Sequence, residues 1–191
     1  MPGSIAPCLN RCLKVGSALI VLLAFGFGPA IAESTTLPRR EGPPVQTTPD
    51  IPHVQIGVEP VPELRAELLR RVQSLPGLEV RPTIIGMWGT DGFWLLDEKL
   101  ERSNEIFRGR EFAHLHTDGS LHASLPPDRA QEAIDTGWAT AHPSAQFHAR
   151  LAGFVMLFSP RNVAEADVTF RLILDGYNHF TGQNLTAADF P

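Results

Sequence analysis

Seven of the 191 residues are histidine, and four of them, His114, His116, His122 and His142, crowd into residues 114–142. The spacing His114-Leu115-His116 puts two imidazoles on one face of a β-strand. Sheets present ligands to a transition metal in this way, with a third imidazole or a carboxylate from a neighbour. A neutral imidazole can also act as a base near neutral pH or hydrogen-bond a ligand. A third reading is structural, with the rings satisfied by hydrogen bonds in a packed polar core. If a metal binds, His114 and His116 are its expected ligands. A divalent transition metal is the cofactor these residues could hold, although none is clearly implied.

Register decides which rings can meet. Asp118-Gly119 reads as a two-residue hairpin turn. It would pair His116 with Leu121, Leu115 with His122 and His114 with Ala123. His114 and His116 then share a face, and His122 points to the other side. A one-residue shift at a bulge would bring His122 beside His114. Glu111 alternates away from the two strand histidines in either register, so it is expected to be a poor ligand.

Other residues carry weaker signals. Arg110-Glu111 could bind a ligand carboxylate or orient a histidine, or simply form a local ion pair. Trp138, ahead of His142-Pro143, could line a pocket or belong to the core. Arg161, after Pro160, could face a ligand or serve the start of a helix. No Gly-x-Ser-x-Gly elbow is present, so serine hydrolase chemistry lacks support.

The elements that must hold these residues are short. Pro62 to Leu75 carries Leu64, Leu68, Val72 and Leu75 on one stripe and predicts an amphipathic helix. Pro76-Gly77 ends it. Leu78 to Met87 alternates like a strand, with Pro82 marking an edge or bulge. Phe93 to Leu96 is a short strand, and Asp97 to Arg110 is a loop with at most a helical turn. Glu111 to His116 and Leu121 to Leu125 form the hairpin. Pro127 to Thr136 is a helix with Pro at its start and Gly137 past its end. Gly153 to Phe158 is an apolar strand. Asn162 caps a last helix with Glu165 as reciprocal cap, and Val163, Ala166, Phe170, Ile173, Leu174 and Tyr177 form its inner stripe. The expected fold is a single α+β domain, a mostly antiparallel sheet of about four or five strands with about three helices packed on it.

The first 32 residues read as a signal peptide. Arg11 and Lys14 give a positive start, Val15 to Phe27 is apolar, and Ala30-Ile31-Ala32 is a small-x-small cleavage site. The apolar run falls short of the roughly 20 residues that span a bilayer. The expectation is an exported protein, periplasmic or secreted, with an uncleaved N-terminal membrane anchor as the alternative. Cys8 and Cys12 are the only cysteines, so a mature chain has neither disulfides nor thiolate ligands. Cleavage takes Arg11 and Lys14 from the 16 basic residues and none of the 21 acidic ones, leaving a net charge of −7. Nucleic acid is excluded as a partner, and a membrane enters only through an uncleaved N-terminal segment. Residues 33–60, rich in proline and without hydrophobic period, read as a disordered tether. The domain proper spans 61–180, and 181–191 is a loose tail.

The runs Arg110-Glu111-Phe112-Ala113-His114-Leu115-His116, Ser120-Leu121-His122-Ala123-Ser124-Leu125, Gly137-Trp138 with His142-Pro143, and Phe158-Ser159-Pro160-Arg161-Asn162 resemble the fungal luciferase family and its bacterial relatives of unassigned role. The resemblance covers about Val61 to Phe180. Fungal luciferases oxidise a hydroxylated styryl-pyranone with molecular oxygen, releasing carbon dioxide and light, and no cofactor is firmly established for them. The resemblance implies Arg110, Glu111, His114, His116, His122 and His142 as catalytic candidates, and Trp138 and Arg161 as ligand-binding ones. The sequence departs from the fungal pattern in a shorter turn before His122, in Ala139 where Gly follows the Trp, and in Phe158 for Tyr. Its first half matches weakly, so luciferin specificity is not expected to carry over. The expectation is a dioxygenase-like oxidoreductase acting on a small enolic or phenolic compound. The alternatives are a non-catalytic exported module that binds a small ligand, and a structural domain with a packed histidine core.

Overall fold

The computed structural model describes residues 36–96 and 100–190, with Met1 and Gly3. The expected signal peptide lies outside the described residues. The chain divides into two units, Met1–Thr35 and Thr36–Pro191, and every element below belongs to the second.

A two-stranded ribbon, β1 (Gln46–Thr47) and β2 (Gln55–Ile56), precedes helix α1 (Pro62–Gln73). Then come β3 (Leu78–Pro82), β4 (Asp91–Leu95), β5 (Glu111–Leu115), β6 (Leu121–Ser124), α2 (Pro127–Asp135), β7 (Ala139–Ala141), β8 (Phe154–Leu157) and α3 (Val163–Thr181). The main sheet has the order β3-β4-β5-β6-β8-β7, and every neighbouring pair is antiparallel. It exceeds the expected strand count because Ala139–Ala141 adds an edge strand that its length hides in the sequence. β3 stops at Pro82, opposite Asp91 on the other edge, where a missing amide donor is tolerated.

The helices cover one face of this sheet. Leu64, Leu68 and Val72 of α1 are buried, as are Phe170, Ile173, Leu174 and Tyr177 of α3. They share one core with Phe93, Phe112, Ala113, Leu115, Leu121, Ala123, Val155 and Leu157. Val163, expected on the inner stripe, is exposed in the first turn of α3. Asn162 caps that helix by accepting the Glu165 amide at 2.9 Å. Glu165 does not return the bond to Asn162. Its carboxylate accepts the Arg161 amide one residue earlier, and it holds Arg40 and Arg161 in ion pairs.

Two segments differ from the sequence expectation. Residues 36–60 are packed rather than tethering. Leu37 and His53 are buried, and Trp138 Nε1 donates to the Pro38 carbonyl at 2.6 Å. The Gln55 side chain donates to Asp118 and accepts the Ser159 amide. The segment lacks an internal hydrophobic period because its polar groups bond to partners distant in sequence. The tail is also held. Thr186 and Asp189 cap its last turn reciprocally, and Arg71 donates to the Phe190 carbonyl at 3.0 Å.

Candidate functional site

The hairpin is built on a three-residue turn. His116 N donates to Ser120 O at 2.8 Å, and Gly119 N donates back to His116 O at 3.2 Å. Gly119 has φ +86°, the conformation that such a turn reserves for glycine. The pairing is therefore Leu115 with Leu121, His114 with His122 and Ala113 with Ala123. This corrects the expected two-residue turn by one position. His122 moves onto the face of His114 and His116, opposite the core, beside Met156 of β8.

A second irregularity corrects the placement of Glu111. Phe93 pairs with Ala113, and Trp94 pairs with Glu111, so Phe112 is an extra residue in β5. The bulge breaks the alternation. Phe112 turns to the core, while Glu111 comes round to His114, with Oε1 at 3.2 Å from His114 Nδ1. That approach has the distance of a hydrogen bond but not its alignment, since Nδ1 has no hydrogen-bond partner among the described residues. Glu111 has one well-formed hydrogen bond on each oxygen. It accepts from Thr83 Oγ1 at 2.5 Å and from Ile84 N at 2.9 Å.

His142 follows β7, with its amide bonded to Phe154 O at 3.0 Å. A fifth histidine joins the four. His53, beside a cis Ile51–Pro52 bond, is 5% exposed and stacks on His122 with ring centres 5.3 Å apart. His53 lies in the proline-rich stretch expected to be a tether, where a single histidine offers little signal of its role.

The five rings line a cavity of about 230 Å³. Its apolar walls come from Ile51, Pro52, Ile85, Met87, Phe107 and Phe154. Gly86 closes one side, and a Cβ there would lie 3.0 Å from His114 Cδ2.

The hydrogen bonds constrain where the protons sit. His114 Nε2 and His122 Nδ1 are 3.0 Å apart, and His122 Nε2 and His53 Nδ1 are 3.1 Å apart. His142 Nδ1 accepts the Ser144 amide at 3.0 Å. A neutral His142 therefore carries its proton on Nε2. Ser120 Oγ lies 2.7 Å from Asp118 Oδ1 and must donate to it. It therefore accepts from His116 Nδ1 at 2.8 Å, which leaves the His116 Nε2 lone pair free.

Burial favours the neutral form at four of these rings. It pushes His116 down to about 4, aided by the neighbouring His114. It pushes His142 to about 4 as well, aided by His53. Burial also lowers His53, and it lowers His122 strongly, where the four surrounding imidazoles add to the effect. Among the described residues, two triplets bring nitrogens within 4.8 Å of one another, His114–His116–His122 and His53–His122–His142. By distance alone, either could hold a metal ion.

The remaining candidates fall elsewhere. Trp138 and Arg161 line a different cavity of about 500 Å³, with Arg40, Gly42 and Glu165. Arg110 lines neither cavity, and its Nε and Nη2 are buried without a hydrogen-bond partner among the described residues.

Residues 109–174 match the family model of the Luciferase domain. The match runs from the start of β5 into α3 and includes four of the five clustered histidines. The chain thus carries a luciferase-like domain, in agreement with the resemblance read from its motifs. No curated protein and no solved structure matches the chain.

Proposed function

We propose that this protein is an exported enzyme that uses molecular oxygen to oxidise a small enolic or phenolic compound in the histidine-lined cavity. One observation carries the reading: five imidazoles, with four pushed toward the neutral form by burial, face one small cavity with apolar walls. A flat, partly apolar molecule fits such walls. A neutral imidazole can take its hydroxyl proton, and the His142 Nε2–H can donate to the oxygen that becomes negative. Electron-rich enolates and phenolates are the form in which such compounds give electrons to oxygen. The luciferase-domain match supports the same class of reaction.

The test is oxygen uptake by the purified full chain against a panel of hydroxypyranones, enols and catechols. His142→Asn is the informative variant, since its side-chain oxygen can still accept the Ser144 amide while the Nε2–H is lost. Removing one such donor is expected to lower turnover about 100-fold or more. Binding of a panel compound without oxygen uptake would replace the enzyme reading with that of a ligand-binding module. Export is tested separately, by sequencing the N-terminus of the protein recovered outside the cytoplasm; a start at Glu33 is expected.

A further inference from the structure

The two histidine triplets are not chemically equivalent. A metal ligand needs a lone pair on the nitrogen that faces the ion, and the partner of the other ring nitrogen fixes where that lone pair sits. His142 fails this requirement. Its Nδ1 accepts a backbone amide, so its Nε2 carries the proton. The amide at Ser144 opens the short turn Pro143–Phe147, so flipping the ring would leave that turn uncapped.

Each member of the other triplet has a polar neighbour at its second ring nitrogen, hydrogen-bonded for His116 and His122 and, for His114, at ion-pair distance only. His116 Nδ1–H is held by Ser120, which is held by Asp118. His114 Nδ1 lies against the Glu111 carboxylate. His122 Nε2 has His53 Nδ1 as its partner at 3.1 Å. The nitrogens left facing one another are His114 Nε2, His116 Nε2 and His122 Nδ1.

We propose that these three nitrogens bind one divalent first-row transition-metal ion, with His142 as a hydrogen-bond donor beside it. The ring spacing suits this. A metal about 2.1 Å from each nitrogen, at angles of about 90–110°, sets ring centres about 4.5–5.3 Å apart. The three separations are 5.3 Å for His114–His116, 5.0 Å for His114–His122 and 4.7 Å for His116–His122. No ring has to lose a proton overall. The proton between His114 and His122 moves to His122 Nε2, where it is donated to His53 Nδ1, and the His53 proton moves to Nε2. Three neutral imidazoles suit iron, copper, nickel or zinc and are poor ligands for magnesium or calcium. Three protein ligands leave open positions for substrate or oxygen.

This inference names the cofactor class of the cavity proposed above. With the ion bound no ring keeps a free lone pair, so the base role given above to an imidazole would pass to the ion, which lowers the pKa of a bound hydroxyl. The test needs no substrate. The full chain, stripped with chelator, is titrated with cobalt(II) and followed by visible absorption, with zinc(II) competition. One saturable cobalt band per chain is expected, displaced by zinc and unaffected by magnesium. His116→Asn keeps a donor toward Ser120 but removes Nε2, and it should weaken cobalt binding by about 100-fold or more. Ser120→Ala, a positioning change, should weaken it by about 10- to 100-fold. His142→Asn should leave the affinity unchanged and the band in place. Thermal unfolding of each variant checks that it is folded, and Ser120→Ala serves if His116→Asn is not.

The absence of a saturable band would overturn the proposal. So would a His142→Asn variant that loses binding as His116→Asn does. Metal binding without oxygen uptake would remove the enzymatic reading alone. Full oxygen uptake by the chelator-stripped chain would remove the metal alone.

Discussion

Glu111→Gln tests whether the carboxylate holds the cavity wall. Glu111 is 1% exposed. Its Oε2 accepts the Ile84 amide and its Oε1 accepts the Thr83 hydroxyl. Thr83 Oγ1 in turn accepts the amides of Ile85 and Gly86, at 3.1 and 2.9 Å. One buried charge thus organises the turn that presents Ile85, Gly86 and Met87 to the histidines. Glutamine has a single acceptor oxygen. If that oxygen keeps Ile84, the Thr83 hydroxyl loses its acceptor; if it keeps Thr83, two donors meet at Ile84. A hydrogen bond to a charged group contributes about 1.5–3 kcal/mol. The loss should speed amide exchange at Ile84, Ile85 and Gly86 by roughly 10- to 150-fold, at tenfold per 1.4 kcal/mol. Hydrogen exchange followed by NMR on the full chain reads these amides directly, with Ala123 and Val155 in the central strands as internal controls. Unchanged exchange at all three loop amides would refute the reasoning. An equal acceleration at Ala123 and Val155 would mean that Glu111 supports the whole fold rather than the wall.

Other perturbations probe the frame and the charge state. His53, His116, His122 and His142 have lowered pKa values. Below about pH 6.5 the unfolded chain takes up protons at these rings that the folded chain refuses until about 4 at His116 and His142. Stability should therefore fall as pH drops from about 6.5 toward 4, and a flat denaturant midpoint across that window in chelator-treated protein would contradict it. Gly176→Ala would put a Cβ 2.6 Å from the Ser124 carbonyl oxygen, where α3 crosses β6. It should cost about 1–3 kcal/mol, read as a lower unfolding midpoint. Glu165→Ala would strand the Arg40 charge, whose side chain is 5% exposed, at a cost of about 3–5 kcal/mol. Arg161→Ala, at a side chain 41% exposed, should cost less than about 1 kcal/mol by the same urea titration.

Much of the architecture was legible because its signals are local. The stripe of α1, the Pro and Gly flanking α2 and the Asn162 cap each depend on residues within a turn or two, and the structure has all three. The composition of the site was less legible, because two single-residue irregularities decide it. Asp118-Gly119 looks like a two-residue turn, but Thr117 joins it, and the resulting shift brings His122 to His114. The Phe112 bulge likewise turns Glu111 toward the cluster, and strand periodicity alone cannot reveal an extra residue. His53 was invisible for a different reason. Its position depends on bonds from Gln55 to Asp118 and Ser159, which leave no trace in the pattern of residues 33–60. Trp138 and Arg161 matched motifs in order along the chain, but adjacency in a motif does not place them in the cavity that the histidines line.

The three-residue turn at Thr117–Gly119 acts as a reading frame for the sheet. Deleting or inserting one residue there would exchange the faces of β6, sending Leu121 and Ala123 toward the cavity and His122 toward the core. No chemical residue would have changed, yet the cluster would lose its central ring. Among proteins that carry this hairpin, loop length should therefore discriminate cavities more sharply than side-chain identity on either strand. An alignment that closes a gap at that turn for the sake of a higher score would compare opposite faces of the same sheet.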